Sequence, residues 1–198
     1  MTGNVKSESD AMDTEKKLMV AVSFAAQVHS GQVRKGSTLP YVVHPIEVLK
    51  KLSDLGVTDE TTLVAAVLHD TLEDCGKDKL DATKKYLWET FGDDVLQVVE
   101  ELTFTPGEGP KEAYVAGFVE KRPESLAVKI VDRVCNILDF LTAGKTDYAK
   151  TYAQSGLPLY QIFTLGVYRE TQVRLATKYG EATVAKLRLF AEQAWKRP

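Results

Sequence analysis

ETTLVAAVLHDTLED, residues 60–74, is the stretch on which the fold turns. Its middle, LVAAVL, is apolar on every side, the pattern of a helix surrounded by protein rather than lying on a surface. Asp59 stands just before it as an N-cap. The stretch then ends in His69, Asp70, Glu73 and Asp74, one imidazole and three carboxylates. Read as one continuous helix, His69 and Glu73 stand at i and i+4, as do Asp70 and Asp74, which makes two adjacent polar columns. The plain alternative is a solvated helix end. Carboxylates near a helix C-terminus, however, oppose the dipole, which favours cations there. Stability alone gives no reason for Glu73 and Asp74, so this turn is a candidate site.

Outward from this helix the chain reads as more helices. Leu18, Ala21, Ala25 and Val28 recur at three- and four-residue spacing between Asp13 and Gly31. HPIEVLKKLSDLG (44–56) predicts a short helix with Pro45 at its first position and Gly56 just past its end. Helices are predicted over 79–91 and 93–103, parted by Gly92, and near 111–121, ending at Pro123. A long one is predicted over 124–142, and two more near 158–179 and 181–195, parted by Gly180. TFTPGEGP (103–110) reads as a loop. No segment alternates with period two between hairpin turns, and neither an internal repeat nor an internal linker is visible. The expected class is all-α: one helical bundle over 13–198, behind a loose polar tail at 1–12.

The composition narrows the function. At 198 residues, with 44% hydrophobic and 27% charged side chains, the chain is long enough to bury a core without staples. A net charge of −3 gives no basic field of the kind that non-specific nucleic-acid binding needs, so neither DNA nor RNA is expected as a partner. Apolar runs such as LVAAVL are far too short to span a bilayer, and MTGNVKSESDAM lacks the apolar core of a signal peptide. Cys75 and Cys135 are the only thiols, which fits a reduced cytoplasmic protein better than a disulfide framework.

A second anomaly lies in AVKIVDRVCNILDFL (127–141). The helix is strongly apolar, yet Asp132 and Asn136 stand one turn apart on it, with Lys129 one turn earlier. A buried Asp is costly unless it is paired, hydrogen-bonded or bound to a metal. An ion pair with Lys129 or Arg133 and metal ligation both satisfy that requirement. Taken together, the segments supply His44, His69, Asp70 and Asp132, a set of imidazoles and carboxylates that suits Mn²⁺, Fe²⁺ or Zn²⁺. Glu73 and Asp74 then lie one turn from two of these, where a carboxylate can take a proton from an attacking water. Arg34 and Lys35, in the Gly-flanked turn GQVRKGSTLPY (31–41), could meet phosphates or stack on a base, although such a pair is solvated in most proteins.

Four segments in order carry a family: FAAQVHSGQVRKGSTLPYVVHPIEVLKKL, TLVAAVLHDTLED, FGDDVLQVVEELT and VKIVDRVCNILD. Over about residues 14–142 they resemble the HD-domain hydrolases of the RelA/SpoT type, and especially the small stand-alone alarmone hydrolases (Mesh-type). The resemblance implies a helical HD fold with one Mn²⁺ held by His44, His69, Asp70 and Asp132. It implies that Glu73 and Asp74 activate and orient the attacking water, that Asn136 binds near the ribose or phosphates, and that Arg34 and Lys35 pack around the base. Lys129 is counted with these substrate contacts. The reaction implied is removal of the 3′-pyrophosphate from guanosine 3′,5′-bis(diphosphate), leaving GDP or GTP. His29 matches a family position outside the ligand set and reads either as a residue that supports the ligands from behind or as a packing residue. Eukaryotic Mesh-type enzymes place an Arg four residues before a Tyr after this region. Here TDYAKTYAQ (146–154) has Tyr148 four before Tyr152, and Lys145 or Lys150 would supply the charge. An adenosine alarmone, the 2′-phosphate of NADPH or a nucleoside monophosphate is the alternative substrate, and a non-catalytic nucleotide-binding module the most distant reading. Oligomeric state is left open, a homodimer included.

Overall fold

Asp59 does what its position promises. In the computed structural model, which describes residues 8–35, 37–107 and 109–197, its Oδ2 accepts from the Thr62 amide at 2.9 Å and from the Thr62 hydroxyl at 2.6 Å. That cap starts the helix Glu60–Leu68, in which every residue from Thr62 to Leu68 is buried. Around it pack the helices Glu8–Val28, Val43–Asp54, Asp93–Leu102 and Pro123–Thr142, so the most apolar helix is also the central one.

In chain order the α-helices are α1 (Glu8–Val28), α2 (Val43–Asp54), α3 (Glu60–Leu68), α4 (Thr71–Asp74), α5 (Leu80–Phe91), α6 (Asp93–Leu102), α7 (Lys111–Ala116), α8 (Pro123–Thr142), α9 (Thr146–Ser155), α10 (Leu157–Thr164), α11 (Arg169–Tyr179) and α12 (Glu181–Trp195). Among the described residues no strand forms. The nearest approach is an isolated antiparallel bridge between Val33 and Pro40, which closes the Arg34–Lys35 turn. One buried apolar cluster draws on residues from Ala21 of α1 to Ala194 of α12. The all-α expectation therefore holds.

Four points depart from the expectation. The stretch 60–74 is not one helix: α3 stops at Leu68, and α4 begins at Thr71. Side chains compete with the backbone there, because His69 Nδ1 donates to the Ala66 carbonyl at 2.8 Å and the Thr71 hydroxyl to that of Leu68 at 2.6 Å. The helix predicted near 158–179 is two helices. Leu165 is extended, and Gln172 Nε2 donates to the carbonyls of Ile162 and Leu165 at 2.8 and 3.0 Å, closing off α10. α9 is not foreseen at all; it buries only Ala149 and Ala153, too small a stripe to mark a period. Of the tail expected over 1–12, residues 1–7 lie outside the described residues, and residues 8–12 belong to α1.

Candidate active site

The break between α3 and α4 is where the site is built. Ending the helix at Leu68 turns His69 and Asp70 inward, toward α2 and α8. His44 Nε2, near the start of α2, lies 3.0 Å from Asp132 Oδ1 on α8. His69 Nε2 lies 3.1 Å from Asp70 Oδ2 and 3.7 Å from Asp132 Oδ1. Ligand atoms of His44, His69 and Asp70 all fall within 4.8 Å of one another. His44, His69 and Asp132 are buried.

These contacts fit a cation. His69 donates from Nδ1 to the Ala66 carbonyl, so that in the neutral ring the lone pair stands on Nε2, an atom that is buried and makes no hydrogen bond. A ring orientation set by a backbone carbonyl is the usual support of a metal-ligating histidine. Without an ion the charges must be balanced otherwise. Burial disfavours the imidazolium of His69, but Asp70 and Asp132 outweigh it and raise His69 to about 10. Burial likewise opposes ionisation of the two Asp residues. The His69 charge nevertheless holds Asp70 well below the carboxylate range, and Lys129 and the two His residues do the same for Asp132. Two carboxylates, one buried and one half-buried, held ionised beside two imidazoles make a site that favours positive charge.

Neighbours hold the two carboxylates in place. The Tyr41 hydroxyl donates to Asp70 Oδ2 at 2.6 Å. Asn136 Nδ2 donates to Asp132 Oδ1 at 2.6 Å, and Lys129 Nζ lies 3.2 Å from Asp132 Oδ2. Of the two partners open to Asp132, Lys129 takes the place. Arg133 turns away and donates to the Tyr152 carbonyl at 2.9 Å, its guanidinium 4.3 Å from the centre of the Tyr152 ring.

Above this cluster opens a cavity of about 610 Å³. Glu73 and Asp74 stand on its wall beside Asp70 and Asp132. Glu73 Oε1 accepts from the Phe104 amide at 2.7 Å; desolvation raises its pKa against the lowering effect of that amide and of Lys129. Opposite, Arg34 reaches Asn136 Oδ1 at 2.9 Å and Asp139 Oδ2 through both Nε and Nη2, and lies over the Tyr41 ring. Lys35 Nζ sits 3.5 Å from the Tyr148 hydroxyl. Phe140 packs edge-on against Tyr148 and Tyr152, completing an aromatic wall. The cavity thus joins a cation-favouring floor, two further carboxylates and cationic and aromatic walls, the requirements of a phosphorylated, ring-bearing substrate.

A family model described as the HD domain matches residues 21–105. The mouse (Mus musculus) guanosine-3′,5′-bis(diphosphate) 3′-pyrophosphohydrolase MESH1 is 34% identical over 143 residues, 70% of this chain and 77% of that protein. The chain belongs to the MESH1 family. A solved structure described as that of a metazoan SpoT orthologue that hydrolyses ppGpp superposes with a TM-score of 0.69 at 25% identity, covering 91% of this chain and 94% of that one. A probable GTP pyrophosphokinase of Mycobacterium leprae is 36% identical over 124 residues, and there the match spans only 15% of the relative's length. Among the described residues of this MESH1-family chain no helix is long and apolar enough to cross a membrane.

The structure brings nearly all the residues singled out in the sequence to one place. His44, His69, Asp70 and Asp132 meet in the floor, and Arg34, Lys35, Glu73, Asp74, Lys129, Asn136, Tyr148 and Tyr152 line the cavity above. Lys145 does not line it; it stands exposed before the first turn of α9, and Lys150 is exposed as well. The MESH1-family chain also uses residues that sequence reasoning passed over. Asp139 could have been found, since Asp132, Asn136 and Asp139 form one polar stripe on an otherwise apolar helix. Tyr41 lies in the Arg34–Lys35 turn without a pattern to mark it. The Phe104 amide is a backbone group and carries no signal.

Proposed function

We propose that this MESH1-family chain hydrolyses guanosine 3′,5′-bis(diphosphate), or its 5′-triphosphate counterpart, releasing pyrophosphate from the 3′ position and leaving GDP or GTP. The observation that carries the reading is the convergence of a His–His–Asp–Asp cluster, a second carboxylate pair and cationic side chains on one cavity. The mouse relative's name and the description of the superposed structure support the same substrate. A single divalent ion, Mn²⁺ in this proposal, would be held by His44, His69, Asp70 and Asp132, and supplies when bound a Lewis acid that neutralises phosphate charge and acidifies water.

The chain's own residues do the rest. Arg34, locked by Asp139 and Asn136, presents its flat face to the base, with Lys35, Tyr148 and Tyr152 along the same wall. Lys129 and Asn136 reach the 3′-phosphates beside Asp132. Glu73 takes a proton from the attacking water while Asp74 orients it. The water oxygen bonds to the phosphorus carried by O3′, the P–O3′ bond breaks, and the proton passes to O3′, so one water is consumed for each pyrophosphate released. A single hydrolase domain over 13–198 and a cytoplasmic location belong to the same reading.

The test is a Mn²⁺-supplemented assay of ppGpp, ppApp and NADPH side by side. Pyrophosphate release from ppGpp is expected, and its loss in His69→Ala and Asp132→Ala. Full turnover in the presence of a chelator, or no pyrophosphate from ppGpp, would sink the proposal.

A further inference from the structure

The floor and walls of the cavity use two of the three histidines. His29, the last residue before α1 gives way to the Arg34–Lys35 turn, is left over, and it is buried as completely as the other two. Its surroundings are not those of a space-filling ring. Nδ1 lies 3.2 Å from Asp74 Oδ2 and 3.1 Å from Gln32 Oε1, both acceptors, while Nε2 has no partner. Two oxygens beside one nitrogen put a proton on Nδ1, which donates to the Gln32 amide oxygen. The Asp74 carboxylate lies at ion-pair distance from the same nitrogen, inside the protein.

The backbone aims it. Gly31, at φ 78°, ends α1 in a conformation other residues rarely adopt, and the Gln32 amide returns to the His29 carbonyl at 3.0 Å. The Tyr41 amide then closes the turn on the Gln32 carbonyl at 2.9 Å. This seats the Tyr41 ring 4.8 Å from the His29 ring, and Tyr41 in turn donates to Asp70. One turn of chain thus holds one carboxylate of the cation cluster and one of the water-handling pair.

We propose that His29 is a positioning residue for Asp74: its Nδ1, hydrogen-bonded to Gln32 and 3.2 Å from Asp74 Oδ2, holds the Asp74 carboxylate from behind, leaving the other oxygen to the cavity. A ring needed only for its volume would serve as well with carbon in place of Nδ1. The assignment rests on reading Asp74 as the carboxylate that orients the attacking water.

The experiment compares His29→Phe and His29→Asn with the parent protein on ppGpp and Mn²⁺, after thermal melts establish that each is folded. In H29F, kcat falls about 10- to 100-fold, the size seen when a second-layer hydrogen bond is lost, while KM and the Mn²⁺ dissociation constant stay within about twofold. H29N carries an amide N–H where Nδ1–H stood, and brings kcat back to within about fivefold of the parent. Parental kcat in H29F, or an equal loss in both variants, overturns the assignment. A second reading needs no turnover: imidazole ¹⁵N shifts place the His29 proton on Nδ1, and that resonance moves in Asp74→Ala. An unprotonated Nδ1, or a resonance that D74A leaves in place, overturns the assignment as well. Failure of ppGpp hydrolysis in the parent with these shifts as expected would fall on the substrate reading and not on the His29–Asp74 contact.

Discussion

Tyr41→Phe removes one oxygen and little else. The ring remains, still packed 4.8 Å from His29 and 5.5 Å from the Arg34 guanidinium. What is lost is the 2.6 Å hydrogen bond to Asp70 Oδ2. Burial and the charge of Asp70 push the phenol far above its ordinary pKa, so Tyr41 is a donor at every working pH. Hydrogen bonds to ionised groups contribute about 1.5–3 kcal/mol, and losing a hydrogen bond behind a metal ligand costs about 10- to 100-fold in affinity. Both point to a Mn²⁺ dissociation constant raised about 10- to 100-fold, or about 1.4–2.7 kcal/mol. At one saturating Mn²⁺ concentration the ion-linked part of the stability falls by the same amount. Competition with a chelating dye measures the first quantity, and melts with and without Mn²⁺ the second. An affinity within about twofold of the parent, or an equal loss of stability in the absence of ion, would refute the reasoning.

Three further outcomes follow from the same geometry. Because His69 is held up at about 10 without an ion, the empty cluster carries an imidazolium at pH 8; uptake of Mn²⁺ then releases about one proton, and affinity climbs with pH until His69 is neutral. Calorimetry in buffers of different ionisation enthalpy counts that proton, and a count of zero contradicts the charge balance. Glu73 is raised above its ordinary 4.5, so the acid limb of kcat lies above that value; Glu73→Gln removes the limb and lowers kcat by about 100-fold or more. A limb unchanged in E73Q would assign the titration elsewhere. Asp59→Ala deletes the cap of α3 and the Lys178 contact at 2.9 Å, and costs about 1–2 kcal/mol in urea denaturation with no change in the slope of the transition. No loss of stability would show that the cap carries nothing.

The elements whose ends were legible in the sequence are those that end for local reasons. Pro45 and Pro123 sit in the first turns of α2 and α8, and Gly92 and Gly180, both at positive φ, part α5 from α6 and α11 from α12. Gly and Pro act through their own dihedrals, so their effect needs no neighbours. The chemical types at the site were equally legible, because a carboxylate in an apolar helix is conspicuous wherever that helix lies. Only the tertiary structure decided the rest. The end of α3 at Leu68 is set by side chains that take backbone carbonyls, in a stretch whose periodicity runs straight on. α9 is tied down by Arg133 and Trp195, which reach across from α8 and α12 to the carbonyls of Tyr152 and Ala153. His44 meets Asp132 across 88 residues, and Glu73 meets the Phe104 amide across 31. Periodicity records which face of a helix is apolar; it holds no record of which distant backbone group that face will meet. The residues that gather at this site could be named from the chain alone, while the Tyr41 hydroxyl and the Phe104 amide beside them still had to be found in the fold.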